Sequence, residues 1–138
     1  MHSWLTPRCL LRFDAALCLA CGLPGLLAAG WTAKFLLPVQ TGLFGLPLAG
    51  VMLGLGVALA AYAILLAVMS VRPARGFTTF TILADGLWVL GTLALLLGFG
   101  AAFSKAGVVV LLVIAADTAL IGVLKARALR LSGGLAAG

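Results

Sequence analysis

Four long apolar runs, separated by short polar stretches, constrain the fold of this chain more than any other feature. Each run is long enough to cross a bilayer as a helix, which takes about 20 residues. None alternates with the two-residue period of a barrel strand, so each is expected to form a transmembrane helix. The sequence therefore predicts an all-α fold with one four-helix transmembrane domain over residues 1–131. The predicted helices cover residues 13–33, 47–71, 77–103 and 106–130.

The composition agrees with a membrane environment. Apolar residues make up 64% of the 138 residues and charged residues only 9%, whereas soluble domains have about 45–50% and about 25%. A soluble globular enzyme and a disordered chain are therefore excluded. The net charge of +6 does not indicate nucleic-acid binding, because the cations lie singly or in pairs between apolar runs and form no basic face. The expected partner is the lipid bilayer.

The positive charges also predict an orientation. Four spans place both termini on the side of the connection between the second and third helices. That side carries seven cations, whereas the other carries only Lys34 and Lys105. An excess of Lys and Arg is typical of cytoplasmic segments, so we expect cytoplasmic N and C termini in a cell inner (plasma) membrane. The seven cations are Arg8, Arg12, Arg72, Arg75, Lys125, Arg127 and Arg130.

Local signals refine the predicted helices. Pro24, inside the first helix, is expected to kink it because proline removes one backbone hydrogen bond. Residues 34–46 follow Trp31 and begin with Lys34, a combination typical of a segment that lies along the membrane surface. The Gly- and Ala-rich residues 132–138 are predicted to form a flexible tail.

Two aspartates inside the predicted membrane region are the main candidates for a functional site. Asp85 lies nine residues after Gly76, and Asp117 lies eight residues before Lys125. If Gly76 and Lys125 mark the cytoplasmic helix ends, a rise of ~1.5 Å per residue places both acids ~12–13 Å deep. The spacing thus predicts that both acids lie at one level on neighbouring antiparallel helices.

Two interpretations of these acids remain open. An ionisable side chain inside the membrane is costly and typical of a transport path, so Asp85 and Asp117 are candidates for a proton relay or cation site, with Trp88 lining the path. Alternatively, each acid forms only local hydrogen bonds, Asp85 with Thr81 and Asp117 with Thr118 or a backbone carbonyl, and holds helices together.

Three further residues near the start of the chain could contribute chemistry. Asp14 is expected to cap the first helix and to pair with Arg12, which is a structural role. Cys18 and Cys21 lie one helical turn apart and could join the two deeper aspartates in a zinc or copper site. Packing is the favoured interpretation of these cysteines, because no histidine accompanies them inside the membrane. No cofactor and no metal are predicted.

Small residues on the second predicted helix indicate close helix packing. Gly50 and Gly54 form a GxxxG pair, and Gly56 with Ala60 repeats the spacing. Such faces let two helix backbones approach closely, and we expect contacts within the chain more than between copies.

Motifs for catalysis are missing from the sequence. The only histidine is His2, so no Ser-His-Asp or Cys-His arrangement can form. There is also no phosphate-binding glycine loop. We expect a protein that is not an enzyme.

Three short motifs are distributed over most of the chain: Leu10-Leu11-Arg12-Phe13-Asp14-Ala15, the Arg72-Pro73 turn and Asp85-Gly86-Leu87-Trp88-Val89-Leu90. Through these motifs the chain resembles a group of small, uncharacterised bacterial four-helix membrane proteins that are loosely DoxX-like. This resemblance implies a fold and a bacterial inner membrane, and no activity.

Two families of known function are more weakly similar. Residues 76–81 are similar to the Thr- and Phe-rich stretch of small fluoride channels, although this chain has no asparagine to match their pore residues. The small multidrug transporters are similar in length and helix count, although the chain lacks the membrane glutamate of that family.

Two functions follow from these observations. The favoured one is a non-catalytic membrane module, either an accessory subunit of a larger complex or a homo-oligomer. The alternative is a small proton- or cation-coupled transporter or channel that uses Asp85 and Asp117.

Overall fold

A computed structural model of the protein describes residues 6–38 and 47–134. These residues form five α-helices and one short 3-10 helix, with no strand among them. The all-α prediction is therefore confirmed. Four of the helices are long and apolar enough to span a membrane. The α-helices are α1 Pro7–Leu27, α2 Ala29–Leu36, α3 Leu48–Met69, α4 Arg75–Phe99 and α5 Lys105–Gly134, and the 3-10 helix is Gly100–Ala102.

The first predicted helix is divided into α1 and α2. The backbone stays helical through Pro24 and breaks at Ala28, where φ is −145° and ψ is 48°. The carbonyl of Pro24 accepts the Ala28 N–H at 3.0 Å and the Thr32 hydroxyl at 2.9 Å. The break expected from Pro24 therefore lies four residues further along the chain. At its other end α1 starts at Pro7, after Thr6, whose hydroxyl accepts a hydrogen bond from the N–H of Cys9.

The predicted surface segment and tail are described only in part. Lys34 lies in the last turn of α2, and residues 39–46 fall outside the described residues. The last helix is longer than predicted, because α5 continues to Gly134. Residues 135–138 of the predicted tail also lie outside the described residues.

The helices pack as two pairs. α1 lies along α3, and α4 lies along α5, while α2 contacts both α3 and α5. The α1–α3 contact depends on glycine: a Cβ atom at Gly25 would lie 2.6 Å from the Met52 carbonyl oxygen, and one at Gly56 would lie 2.8 Å from the Leu26 nitrogen. Far fewer contacts join one pair to the other, which leaves room for a cavity between them.

Burial runs opposite to the pattern of a soluble domain. Large apolar side chains cover the outside, and Leu97 is 89% exposed. Several of the most buried side chains are polar or charged, among them Lys125 at 0% and Thr81 at 0% exposure. Because lipid tails solvate apolar side chains and not polar ones, this arrangement fits a multi-pass membrane protein in contact with the bilayer.

Candidate functional site: a buried ion triad beside an intramembrane cavity

A buried cluster of three charged side chains connects three helices. The ammonium group of Lys125 on α5 contacts the carboxylates of Asp14 on α1 and Asp85 on α4. The distance from Lys125 Nζ to Asp85 Oδ2 is 2.7 Å. Both aspartates are about 5% exposed, and Lys125 is fully buried. We call Asp14, Lys125 and Asp85 the ion triad.

The sequence places these groups together through the packing of α4 on α5. Gly122 of α5 lies against Asp85, since a Cβ atom at Gly122 would be 3.4 Å from the Asp85 Cβ. One turn further, Lys125 reaches back to both carboxylates. The triad holds one positive and two negative groups. A buried ion cluster is stable only when each charge is paired, so one additional proton or cation would balance it.

Asp14 has a different partner from the predicted one. It lies two turns into α1, which has no acidic residue in its first turn. Arg12 donates to the hydroxyl of Ser70 at 3.3 Å, and Arg8 donates to the carbonyl of Val71 at 2.8 Å. Both arginines thus hold the C-terminal end of α3. The expected capping role and Arg12 pairing of Asp14 are wrong, because α1 begins six residues earlier than predicted.

A cavity of about 620 Å³ lies between the two helix pairs, next to the ion triad. All five α-helices contribute to its walls, which are mainly apolar. Its polar lining residues are few. They include Asp14, Asp85, Asp117, Tyr62 and Thr118.

Asp117 lines this cavity without a partner. Its side chain is exposed, and among the described residues it makes no hydrogen bond or ion pair. It lies at the centre of the candidate span Lys105–Leu131. A carboxylate at mid-membrane without a counter-charge is costly, so Asp117 is the group in the cavity with the strongest need for a cation or a proton.

The predicted common level of Asp85 and Asp117 is wrong. Asp85 lies level with Gly122, five residues from Asp117, which is ~7.5 Å along the helix axis. The depth was counted from Lys125 as a helix end, whereas α5 continues nine residues beyond it. The two acids line one cavity but do not form a pair at equal depth.

The local hydrogen bonds considered for these acids are also not formed. The hydroxyl of Thr81 donates to the carbonyl of Thr78 at 2.9 Å, and that of Thr118 donates to the carbonyl of Ile114 at 2.8 Å. Both threonines therefore satisfy their hydroxyls on their own helix. Trp88, the third predicted site residue, lines the cavity as well.

Of the three cysteines of α1, Cys18 and Cys21 line the cavity, and both are free thiols. The Cys18 thiol donates to Asp14 Oδ1 at 3.7 Å. Within residues 6–38 and 47–134, no three His, Cys, Asp or Glu side chains lie close enough to hold a metal ion. The zinc or copper site drawn from Cys18 and Cys21 is therefore not assembled.

The small residues of α3 separate into two groups. Gly56 lies against Gly22 and Gly25 of α1, and Ala60 approaches Gly22, with its nitrogen 3.6 Å from a Cβ atom placed there. Gly50 and Gly54, in contrast, are exposed. A Cβ atom at Gly54 would meet nothing within 4 Å. The GxxxG pair thus makes no close helix contact within the described chain.

Lys125 is the site residue that the sequence interpretation missed. It was counted as a surface cation, although it is the centre of the ion triad. A signal was present in the helical spacing, because the buried face of α5 runs through Ala115, Ile121, Lys125 and Ala128. A lysine at the i+4 position of such an apolar face requires a buried carboxylate partner.

Comparison of the chain with protein-family models, with curated proteins and with solved structures gives no match. The interpretation of the site therefore rests on its geometry and chemistry.

Proposed function

We propose that the protein is a small carrier that exchanges a cation for protons across a bacterial inner membrane. The observation that supports this proposal best is Asp117, which lines the cavity at the centre of a candidate membrane span and has no hydrogen-bond or ion-pair partner among residues 6–38 and 47–134. A carboxylate in this setting is neutralised either by a proton or by a bound cation. The two states exclude each other, and that competition is the basis of exchange.

The ion triad gives the cavity a second exchange site. Its two carboxylates share one ammonium group, so one negative charge is left for a proton or a cation. Because Lys125 is tethered, it acts as an internal cation that keeps Asp14 and Asp85 paired when no other cation is bound. We infer that Asp117 binds the transported cation and that the triad carries the compensating proton.

Two sets of polar contacts connect the helix pairs, one at each end of the cavity, and this arrangement fits alternating access. At one end of the cavity the ion triad joins α1 to α4 and α5. At the other end, the Ser104 hydroxyl donates to the Phe35 carbonyl at 2.6 Å, and the Ser104 N–H donates to the Leu36 carbonyl at 2.8 Å. In the proposed cycle these two sets of contacts break alternately, because a carrier must expose its site to one side of the membrane at a time.

We propose that both termini lie in the cytoplasm. Lys125 is paired inside the bundle, which leaves six of the seven cations on the terminal side against Lys34 and Lys105 on the other. The excess of positive charge remains on the side of the termini. The ion triad is then nearer the cytoplasm than the contacts of Ser104.

The test is cation-driven proton movement in liposomes loaded with a pH-sensitive dye. Sodium, potassium or the single-chain cation decyltrimethylammonium, below its micelle-forming concentration, is added outside, and proton loss from the lumen is recorded. We expect at least one of these cations to accelerate proton loss above the rate of empty liposomes. Asp117→Asn should abolish the acceleration without changing the yield of folded protein, because among the described residues Asp117 makes no hydrogen bond or ion pair that would be lost. Asp117→Glu should retain it.

A second candidate is a non-catalytic module, an accessory subunit or a homo-oligomer. Its support is the exposed Gly50–Gly54 face of α3, which packs against no other helix among the described residues and could contact another membrane helix. This candidate predicts that proton loss stays at the rate of empty liposomes with all three cations, in the wild type as in Asp117→Asn. That result would overturn the carrier proposal.

A further inference from the structure

We infer that the cavity binds a single-chain organic cation, with its ammonium head on Asp117 and its apolar chain directed towards α2. This inference rests on the proposed function and adds the chemical class of the ligand. It follows from the composition of the walls, the length of the cavity and the position of its polar groups.

The walls favour an apolar ligand of substantial size. A volume of about 620 Å³ lies within the range of about 300–1,000 Å³ typical of pockets for drug-sized molecules. Most of the lining residues are Leu, Ile, Val, Ala, Met and aromatic side chains. Such walls gain free energy by contact with hydrocarbon and cannot replace the water shell of an ion.

A metal cation does not fit these walls. Hard cations such as Ca²⁺ and Mg²⁺ take about six or more oxygen ligands. Two of the three lining carboxylates already hold Lys125. The hydroxyls of Thr32 and Thr118 donate to backbone carbonyls of their own chain segment. Among the described residues, Asp117 is the one lining carboxylate that holds no cation, and its two oxygens are enough for one ammonium group but not for a hard metal ion.

The shape of the cavity matches a chain. Its lining residues on α5 run from Val110 to Ile121, and this difference of eleven positions corresponds to ~16 Å along the helix. At the α2 end, the rings of Trp31 and Phe35 are stacked with centroids 5.2 Å apart, and both line the cavity. Asp117 lies in the other half, towards the ion triad. An ammonium on Asp117 therefore leaves the hydrocarbon chain against the aromatic pair.

The half of the cavity near Asp117 and the ion triad contains one more polar group that a ligand can contact, the hydroxyl of Tyr62. The hydroxyl oxygen of Tyr62 is the only buried side-chain nitrogen or oxygen without a hydrogen-bond partner among the described residues, and Tyr62 lines the cavity. Tyr62 also packs on the cluster of Leu11, Ala15 and Leu66 near the ion triad. A buried hydroxyl without a partner is costly, and an ammonium head group that carries an N–H can donate a hydrogen bond to its oxygen.

The inference is tested by native mass spectrometry of the full chain in a neutral detergent. Three probes separate charge from chain: decyltrimethylammonium has both, decanol has only the chain, and tetramethylammonium has only the charge. We expect decyltrimethylammonium to bind the wild type with 1:1 stoichiometry and to bind Asp117→Asn about 30-fold more weakly, as is typical when one partner of a desolvated charge pair is removed. Decanol should bind both proteins equally, and tetramethylammonium should bind neither.

Two results would overturn the inference. One is equal binding of decyltrimethylammonium to the wild type and to Asp117→Asn, and the other is binding of tetramethylammonium as tight as that of the long-chain cation. Loss of Asp117-dependent proton movement in liposomes with retained decyltrimethylammonium binding would reject the carrier but leave the ligand class standing. Asp117→Glu, which keeps the charge, should restore binding and so excludes a folding defect.

Discussion

Replacing Lys125 with methionine is expected to destabilise the protein by about 3–5 kcal/mol, the cost typical of removing one partner from a buried ion pair. Methionine keeps the length of the side chain and removes the ammonium group, so the carboxylates of Asp14 and Asp85 remain buried without a counter-charge. The free energy of unfolding, measured by denaturant titration in mixed micelles, gives the size of the effect.

Two controls show whether the loss comes from the charges. Lys105→Met removes an exposed cation and should leave stability nearly unchanged. Combining Lys125→Met with Asp14→Asn and Asp85→Asn removes all three charges and should recover most of the stability, because a neutral cluster has no unpaired ion to bury. If Lys125→Met is as stable as the wild type, the ion triad does not hold the helix pairs together.

Replacing Gly56 with valine is expected to separate α1 from α3 and to cost at least about 1–3 kcal/mol, the range for overpacking a tight contact. A Cβ atom at Gly56 would lie 2.8 Å from the Leu26 nitrogen, 2.9 Å from the Gly22 carbonyl oxygen and 3.0 Å from the Gly25 carbonyl carbon. All three are backbone atoms, so no side chain can rotate away to relieve the clash. The measurement is again the free energy of unfolding.

Gly54→Val is the matched control on the same helix. The substitution is chemically identical, but a Cβ atom at Gly54 meets no atom within 4 Å, so stability should change by far less than in Gly56→Val. Equal destabilisation by both variants would mean that the cost arises from helix propensity and not from the α1–α3 contact. A large effect of Gly54→Val alone would instead indicate an intermolecular contact at the exposed glycine face.

The fold was predictable because the bilayer restricts the choice. A run of apolar residues without charges can satisfy its backbone in lipid only as a helix or a closed barrel strand, and periodicity decides between the two. The sequence likewise predicted that Pro24 disturbs the first helix. The position of the break at Ala28 was not predictable, because Pro24 itself stays helical and its carbonyl accepts both the Ala28 N–H and the Thr32 hydroxyl.

The sequence predicted individual residues of the site but not which of them contact each other. Asp85, Asp117 and Trp88 do line the cavity, because an intramembrane acid must avoid lipid. The ion pair between Asp14 and Lys125 was not predictable, since the two residues are 111 positions apart in the sequence. The error over depth arose from the assumption that a lysine marks the end of a membrane helix. Lys125 instead lies inside the bundle, where two carboxylates replace water as its partners.

A carrier of this kind requires that a cation can reach Asp117 through the cavity, and cysteine labelling beside this residue measures that access. In a chain with Cys9, Cys18 and Cys21 changed to alanine, Thr118→Cys places a thiol in the cavity wall. Leu120→Cys places one at an exposed position that is not a lining residue.

A positively charged, membrane-impermeant methanethiosulfonate reagent should modify Thr118→Cys and leave Leu120→Cys unmodified. Adding Asp117→Asn to Thr118→Cys should slow the reaction. Equal labelling of both positions, or no labelling of Thr118→Cys from either side of the membrane, would contradict the account.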